Sequence, residues 1–199
     1  MSELHEKLHV LLLDDNRNFL SILRAVLRDV GIRNVAEYVS PTEALKYLEH
    51  ASVNIAFVDL VMPEMNGFEF ADRVRHSSET ANPFMPIVMI TGHADRAIVG
   101  QAINHGIDEL LVKPLRPRHL HERLNAVISK PRRYIRTKSG YFGPDRRRRQ
   151  DPEYRGPERR LEESGQTIKH PGVGGQIFSM KRLPATRAES RSDGIMIID

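Results

Sequence analysis

Within the first 129 residues, five short apolar runs each break off at polar residues, and amphipathic stretches separate them. The run 8–13 ends at Asp14, Asp15 and Asn16, and the run 53–58 ends at Asp59. The run 87–90 ends at Thr91, the run 110–112 ends at Lys113 and Pro114, and the shorter run 35–39 gives way to Ser40. Between the runs, Phe19, Leu20, Leu23, Val26, Leu27 and Val30 recur at helical spacing, and Gly31 closes the pattern as a helix C-cap would. Ser40, Pro41 and Glu43 make a helix start, with an N-capping hydroxyl, proline at the first position and an acid at the third. Phe68, Phe70, Ala71 and Val74 mark another helix, Ala97, Ile98, Ala102 and Ile103 one that stops at Gly106, and a last helix runs to about residue 128. Strands that are apolar on both faces, each followed by an amphipathic helix, predict an α/β fold: a doubly wound, five-stranded parallel sheet covered on both sides.

Composition narrows the setting. The 199-residue chain is 40% hydrophobic and 28% charged, enough to bury a core, and it has no cysteine. A disulfide scaffold, a thiol nucleophile and a cysteine-ligated zinc site are therefore excluded, and a reducing, cytoplasmic setting is expected. The longest apolar runs, such as 10–13, fall far short of the ~18 residues that a membrane span needs, so no membrane insertion is expected. The opening MSELHEKLH reads neither as a signal peptide nor as a lipidation site.

Net charge is +4, but its distribution is uneven: residues 1–129 hold 13 Lys and Arg against 17 Asp and Glu, residues 130–160 hold 12 against 4, and residues 161–199 hold 5 against 5. An acidic body, a basic strip and a neutral tail follow one another, with an expected boundary near 129–131. Such asymmetry points to an anionic partner for the strip.

In open parallel sheets chemistry gathers beyond the carboxyl ends of the strands. There this chain places Asp14, Asp15, Asp59, Thr91 and Lys113. Three carboxylates converging in one crevice repel each other unless a divalent cation sits among them, and hard oxygen ligands suit Mg²⁺. A carboxylate beside that ion can attack phosphorus and form an acyl phosphate. The developing charge then needs a cation and a hydroxyl, which Lys113 and Thr91 can supply. Singly, each residue has a simpler reading as a helix cap, a loop start or a solvated charge. Their joint occurrence at successive strand ends favours the chemical reading.

LLLDDN at the first strand, VDLVMPEMNG at the third, MITGHAD at the fourth and LLVKPL at the fifth resemble the receiver domain of two-component response regulators over about residues 8–128. The resemblance implies a flavodoxin-like sheet of strand order 2-1-3-4-5 and a cis Lys113–Pro114 bond. Asp59 is the implied phospho-acceptor, Asp14 and Asp15 with Asp59 and the Val61 carbonyl the Mg²⁺ ligands, and Thr91 and Lys113 the phosphate-sensing pair. A sensor histidine kinase or phosphotransfer protein is the implied partner. Such a protein modifies itself and is not expected to be an enzyme. One position departs from the family: Leu110 stands where a rotating Tyr or Phe is common, which weakens the usual readout on the helix over 97–103 and the fifth strand.

The strip 130–160 has too few apolar residues for a core of its own, and its prolines and glycines break any long helix, so it is expected to be largely extended or disordered. It also repeats itself. Tyr141-Phe142-Gly143-Pro144-Asp145-Arg146-Arg147 recurs thirteen residues later as Tyr154-Arg155-Gly156-Pro157-Glu158-Arg159-Arg160. Arginine reads guanine O6 and N7 through paired hydrogen bonds and also binds phosphate. A neighbouring carboxylate can accept from the base's other edge, tyrosine offers a stacking face, and Gly-Pro fixes a turn. The unit suits a guanine nucleotide, and two units suit a ligand with two guanines. Arg132, Arg133, Arg136 and Arg148 extend the candidate set. A solvated linker, a nuclear-type basic address and a nonspecific basic arm compete with this reading; Asp145 and Glu158 argue against an arm that attracts phosphate alone.

A receiver with an arginine-rich extension resembles the CheY-like cyclic di-GMP effectors. That likeness implies a cyclic di-GMP ligand and action on the flagellar motor switch, motility or surface attachment, in a cytoplasmic protein recruited to the flagellated pole. The second reading is a phosphorelay regulator whose basic arm binds nucleic acid; no helix-turn-helix pattern follows residue 130 to support it. Residues 161–199 read as a flexible tail, in which 195–198 could form a terminal strand.

Overall fold

The computed structural model describes residues 3–129, 132–137 and 139–145. After a single helical turn, α1 (Glu3–Glu6), strands and helices alternate: β1 (His9–Leu13), α2 (Arg17–Asp29), β2 (Asn34–Tyr38), α3 (Pro41–Leu48), β3 (Ile55–Asp59), α4 (Gly67–His76), β4 (Ile87–Thr91), α5 (Arg96–Asn104), β5 (Glu109–Val112) and α6 (Pro117–Ser129). The five strands form one parallel sheet in the order β2-β1-β3-β4-β5.

The helix boundaries follow local chemistry. Asn16 caps α2 by accepting from the amides of Asn18 and Phe19, Ser40 caps α3 by accepting from Glu43, and Asn66 and Glu69 close a reciprocal capping box on α4. Gly31 ends the α2 region with φ 91°, as its position in the sequence predicts. Each strand then divides its side chains between two cores. In β1, Leu11 and Leu13 face α3, α4 and α5, together with Ala44, Phe70 and Ala102, while Val10 and Leu12 face α2 and α6, together with Leu23, Leu27 and Leu124. A period-2 strand buried on both faces is what continuous apolar runs require.

The basic strip does not start as a free arm. Its first part forms an antiparallel hairpin, β6 (Tyr134–Arg136) with β7 (Phe142–Pro144), pairing Tyr134 with Pro144 and Arg136 with Phe142. Gly140, at φ 85°, donates to the Thr137 carbonyl in the turn. The expected boundary near 129–131 is thus one of charge and not of packing. Too few apolar residues exist for a separate core, and those present are instead spent on the receiver: Tyr134, Tyr141 and Phe142 are all buried. Phe142 and Tyr134 pack edge-on against Phe84 at 5.2 and 5.7 Å between ring centroids. Residues 146–199, with the second copy of the repeat, the neutral tail and the segment 195–198, lie outside the described residues.

Candidate phosphorylation site

Asp14 follows β1, Asp59 ends β3, Thr91 ends β4 and Lys113 follows β5, so the sheet brings all four to one edge. Lys113 reaches across. Its Nζ lies 2.7 Å from Asp59 Oδ1 and 2.9 Å from Asp14 Oδ2. The other carboxylate oxygens are held by backbone, Asp14 Oδ1 accepting from the Asn16 amide and Asp59 Oδ2 from the Val61 amide, each at 2.9 Å. Both carboxylates are buried, at 1% and 5% exposure, while the Lys113 side chain is 29% exposed. Phe19, which the sequence reading treats only as a core residue, lies beneath the ammonium at 4.1 Å from its ring centroid.

Two buried negative charges against one ammonium leave the crevice short of positive charge. Burial raises the Asp59 carboxyl above its usual range and the Asp14 charge adds to this; the Lys113 and Val61 hydrogen bonds oppose the rise without cancelling it. Burial alone would lower Lys113, but bonding to Asp59 and Asp14 outweighs it, and its pKa is raised.

The three carboxylates do not close into a ready metal cluster, and among the described residues no group of three His, Cys, Asp or Glu side chains does. Strand alternation explains it: Asp14 points into the crevice, so its neighbour Asp15 turns out to solvent. The donor set still fits a hard divalent cation. Asp14, Asp15, Asp59 and the Val61 carbonyl supply only oxygens, and burial, with the Asp14 charge beside it, raises the Asp59 carboxyl. Thr91 makes a local bond. Its hydroxyl is buried and donates to the His93 carbonyl at 2.7 Å, so it is held in a local turn instead of on Asp59.

The extension residues separate by role. Tyr141, expected to present a stacking face, is buried and donates its hydroxyl to the Pro144 carbonyl at 2.7 Å. Arg132 reaches the carbonyls of Asp108 and Asp145, which clasps the hairpin's ends. Arg136 covers the Phe142 ring at 4.7 Å. Arg133 is exposed, and the Asp145 amide donates to the Arg133 carbonyl. Arg146, Arg147, Arg148, Tyr154, Glu158, Arg159 and Arg160 lie outside the described residues.

Residues 10–125, which carry this sheet and its carboxylate crevice closed by a strand-end lysine, match the model of the response regulator receiver domain. The chain belongs to that family. It is 32% identical over 120 residues to the chemotaxis protein CheY1 of Helicobacter pylori, covering 60% of this chain and 95% of that protein. It is 33% identical over 122 residues to the cyclic di-GMP phosphodiesterase response regulator RpfG of Xanthomonas campestris, covering 61% of this chain but only 32% of RpfG. The solved chemotaxis response regulator CheY4 of Vibrio cholerae superposes with a TM-score of 0.56 at 31% identity, over 60% of this chain and 98% of that one. The Lys113–Pro114 bond is cis.

Proposed function

We propose that Asp59 is the phospho-acceptor of this receiver. The observation that carries this is the Lys113 ammonium seated between Asp59 and Asp14 at the carboxyl end of the sheet. An Asp59 oxygen attacks the phosphorus of a phosphohistidine or small phosphodonor. The new O–P bond gives an acyl phosphate, while the donor's bond to phosphorus breaks and its leaving atom keeps the electron pair. Lys113 holds the attacking carboxylate and neutralises charge that develops on the phosphoryl oxygens. Asp14, Asp15 and Asp59 with the Val61 carbonyl would hold Mg²⁺, which supplies further neutralisation of phosphoryl oxygens when bound. Release of the Thr91 hydroxyl from the His93 carbonyl would provide a donor to the phosphoryl group. The donor protein would be a sensor histidine kinase or a phosphotransfer protein. Incubation with Mg²⁺ and a small phosphodonor should load one hydroxylamine-labile phosphoryl group per chain. Asp59→Asn should abolish it, because an amide does not attack phosphorus; labelling that persists in that variant overturns the assignment.

For the extension, the reading is a cyclic di-GMP effector. Its support is the duplicated unit, in which Asp145 with Arg146 and Arg147, and Glu158 with Arg159 and Arg160, set an acid beside arginines suited to the two edges of guanine. Chemotaxis relatives suggest the flagellar motor switch as the downstream partner. Calorimetric titration with cyclic di-GMP, with GTP and single-stranded DNA in parallel, tests the ligand. Asp145→Asn and Glu158→Gln should weaken cyclic di-GMP binding although both make the strip more positive. Equal or tighter binding by both variants would favour the nucleic-acid arm instead.

A further inference from the structure

The cation of the phosphorylation crevice rests on a ring as well as on carboxylates. An ammonium has three N–H donors. At Lys113, Asp59 Oδ1 at 2.7 Å and Asp14 Oδ2 at 2.9 Å take two of those directions. The same Nζ stands over the Phe19 ring, 4.1 Å from its centroid, where the negative face of the π-system attracts a cation.

Local chemistry fixes both sides of this contact. Phe19 lies in the first turn of α2, and its amide donates to the capping Asn16 Oδ1 at 3.2 Å. The Asn16 amide in turn donates to Asp14 Oδ1 at 2.9 Å, so one residue sets both the backbone that carries the ring and one of the carboxylates. On the other side, the Lys113 amide donates to the Thr91 carbonyl at 2.8 Å, which fixes where the long side chain begins. Packing alone does not call for an aromatic here. Phe19 is only partly buried, at the margin of the core between the sheet and helices α2 and α6, and an aliphatic side chain would cover the same apolar surface.

The ring and the carboxylates make different demands on the ammonium. As Asp59 attacks phosphorus, its negative charge passes into the new ester and the phosphoryl oxygens, and Lys113 has to follow it. Its carboxylate bonds are then redirected, whereas attraction to a neutral ring is weakly directional and persists. We propose that Phe19 is a positioning residue for phosphoryl transfer: it keeps the Lys113 ammonium over the crevice while carboxylate partners are exchanged for phosphoryl oxygens. This rests on the Asp59 reading above and adds the group that holds its lysine. With acetyl phosphate as donor, an Asp59 oxygen forms the new O–P bond while the O–P bond to acetate breaks and acetate leaves with the electron pair. Phe19 acts in that step only through Lys113.

The test uses the full chain with Mg²⁺ and acetyl phosphate, following the loading rate against donor concentration. Phe19→Leu should lower the rate at saturating donor at least fivefold while half-saturation stays within twofold of the parent. Phe19→Tyr, which keeps the ring face, should stay within twofold in both. Fluorinated phenylalanines at position 19 nearly keep the ring's shape but drain its π-face, and the rate should fall with each added fluorine; a ring that only packs would give no such series. A Phe19→Leu rate equal to the parent's, or a flat fluorine series, would overturn the positioning role and leave Asp59 in place as acceptor. Should Phe19→Leu lose its fold, the fluorine series alone decides. A parent that loads no phosphoryl group would overturn the Asp59 reading and this inference together.

Discussion

Each end of the sheet places a basic side chain on buried carboxylate, and the two ends use it differently. At the amino end of β5, Arg75 is fully buried and every arm of its guanidinium is engaged, by the carbonyls of Pro83, Met85 and Gly106, by Asp108 and by the Tyr134 hydroxyl. At the carboxyl end, Lys113 faces two carboxylates, is part-exposed, and leaves a net negative charge. Planar arginine with five donors can be saturated by fixed acceptors; lysine is a mobile point charge that a phosphoryl group can recruit. A completed network holds structure, and an incomplete one leaves room for a reaction.

The sharpest way to break this contrast is Arg75→Met. Asp108 would remain buried without its countercharge, and the expected loss is about 3–5 kcal/mol in urea unfolding, the range for removing one partner of a buried pair. A loss below 1 kcal/mol would mean that the amino-end network is not structural.

Tyr134→Phe removes one hydroxyl from the same network and should cost about 1 kcal/mol, since Asp108 keeps Arg75 and the Ile87 amide. The same contact sets an alkaline limit. Burial, with Asp108 adding to it against the opposing Arg75 charge, raises the Tyr134 phenol well above 10.0. A raised folded pKa gives stability that is complete below the unfolded value and lost as pH climbs beyond it. Hydrogen exchange in residues 134–144 should therefore quicken above pH 10, and less so in Tyr134→Phe.

At the carboxyl end the sign reverses. Because the Asp59 carboxyl is raised above 3.8, its ionisation costs stability at neutral pH. Asp59→Asn should raise the melting temperature of the metal-free protein at pH 7, and the gain should vanish below pH 3.8. A lower melting temperature at pH 7 would show that the crevice is already balanced.

The smallest effect concerns coupling between the two ends. Leu110, half-buried against the core, has neither ring nor hydroxyl to reorient. Phosphorylation should change cyclic di-GMP affinity by less than ~1 kcal/mol, below the usual range of allosteric coupling. A tenfold change would break that expectation.

The regularity of the receiver made it legible in sequence. Ser40 caps where its chemistry predicts, and the polar residues that interrupt the apolar runs are the ones the sheet brings to its carboxyl edge. The orientation of Asp15 was not legible, because the strand's alternation persists one residue past its last hydrogen bond. The amino-end network was missed for a different reason. Strands of three residues are too short to show a period, and the anchor's partners are remote: Tyr134 meets Arg75 across 59 residues of chain. The only local signal was Arg75 directly after Val74 on the buried side of α4.

The buried aromatic anchor has a consequence for ionic strength. Contacts between arginine and phosphate weaken as salt screens them, whereas a dock made of rings, a glycine-to-glycine approach and a fully enclosed guanidinium is screened little. Salt strong enough to screen exposed arginines should therefore leave Tyr134, Tyr141 and Phe142 docked on the receiver.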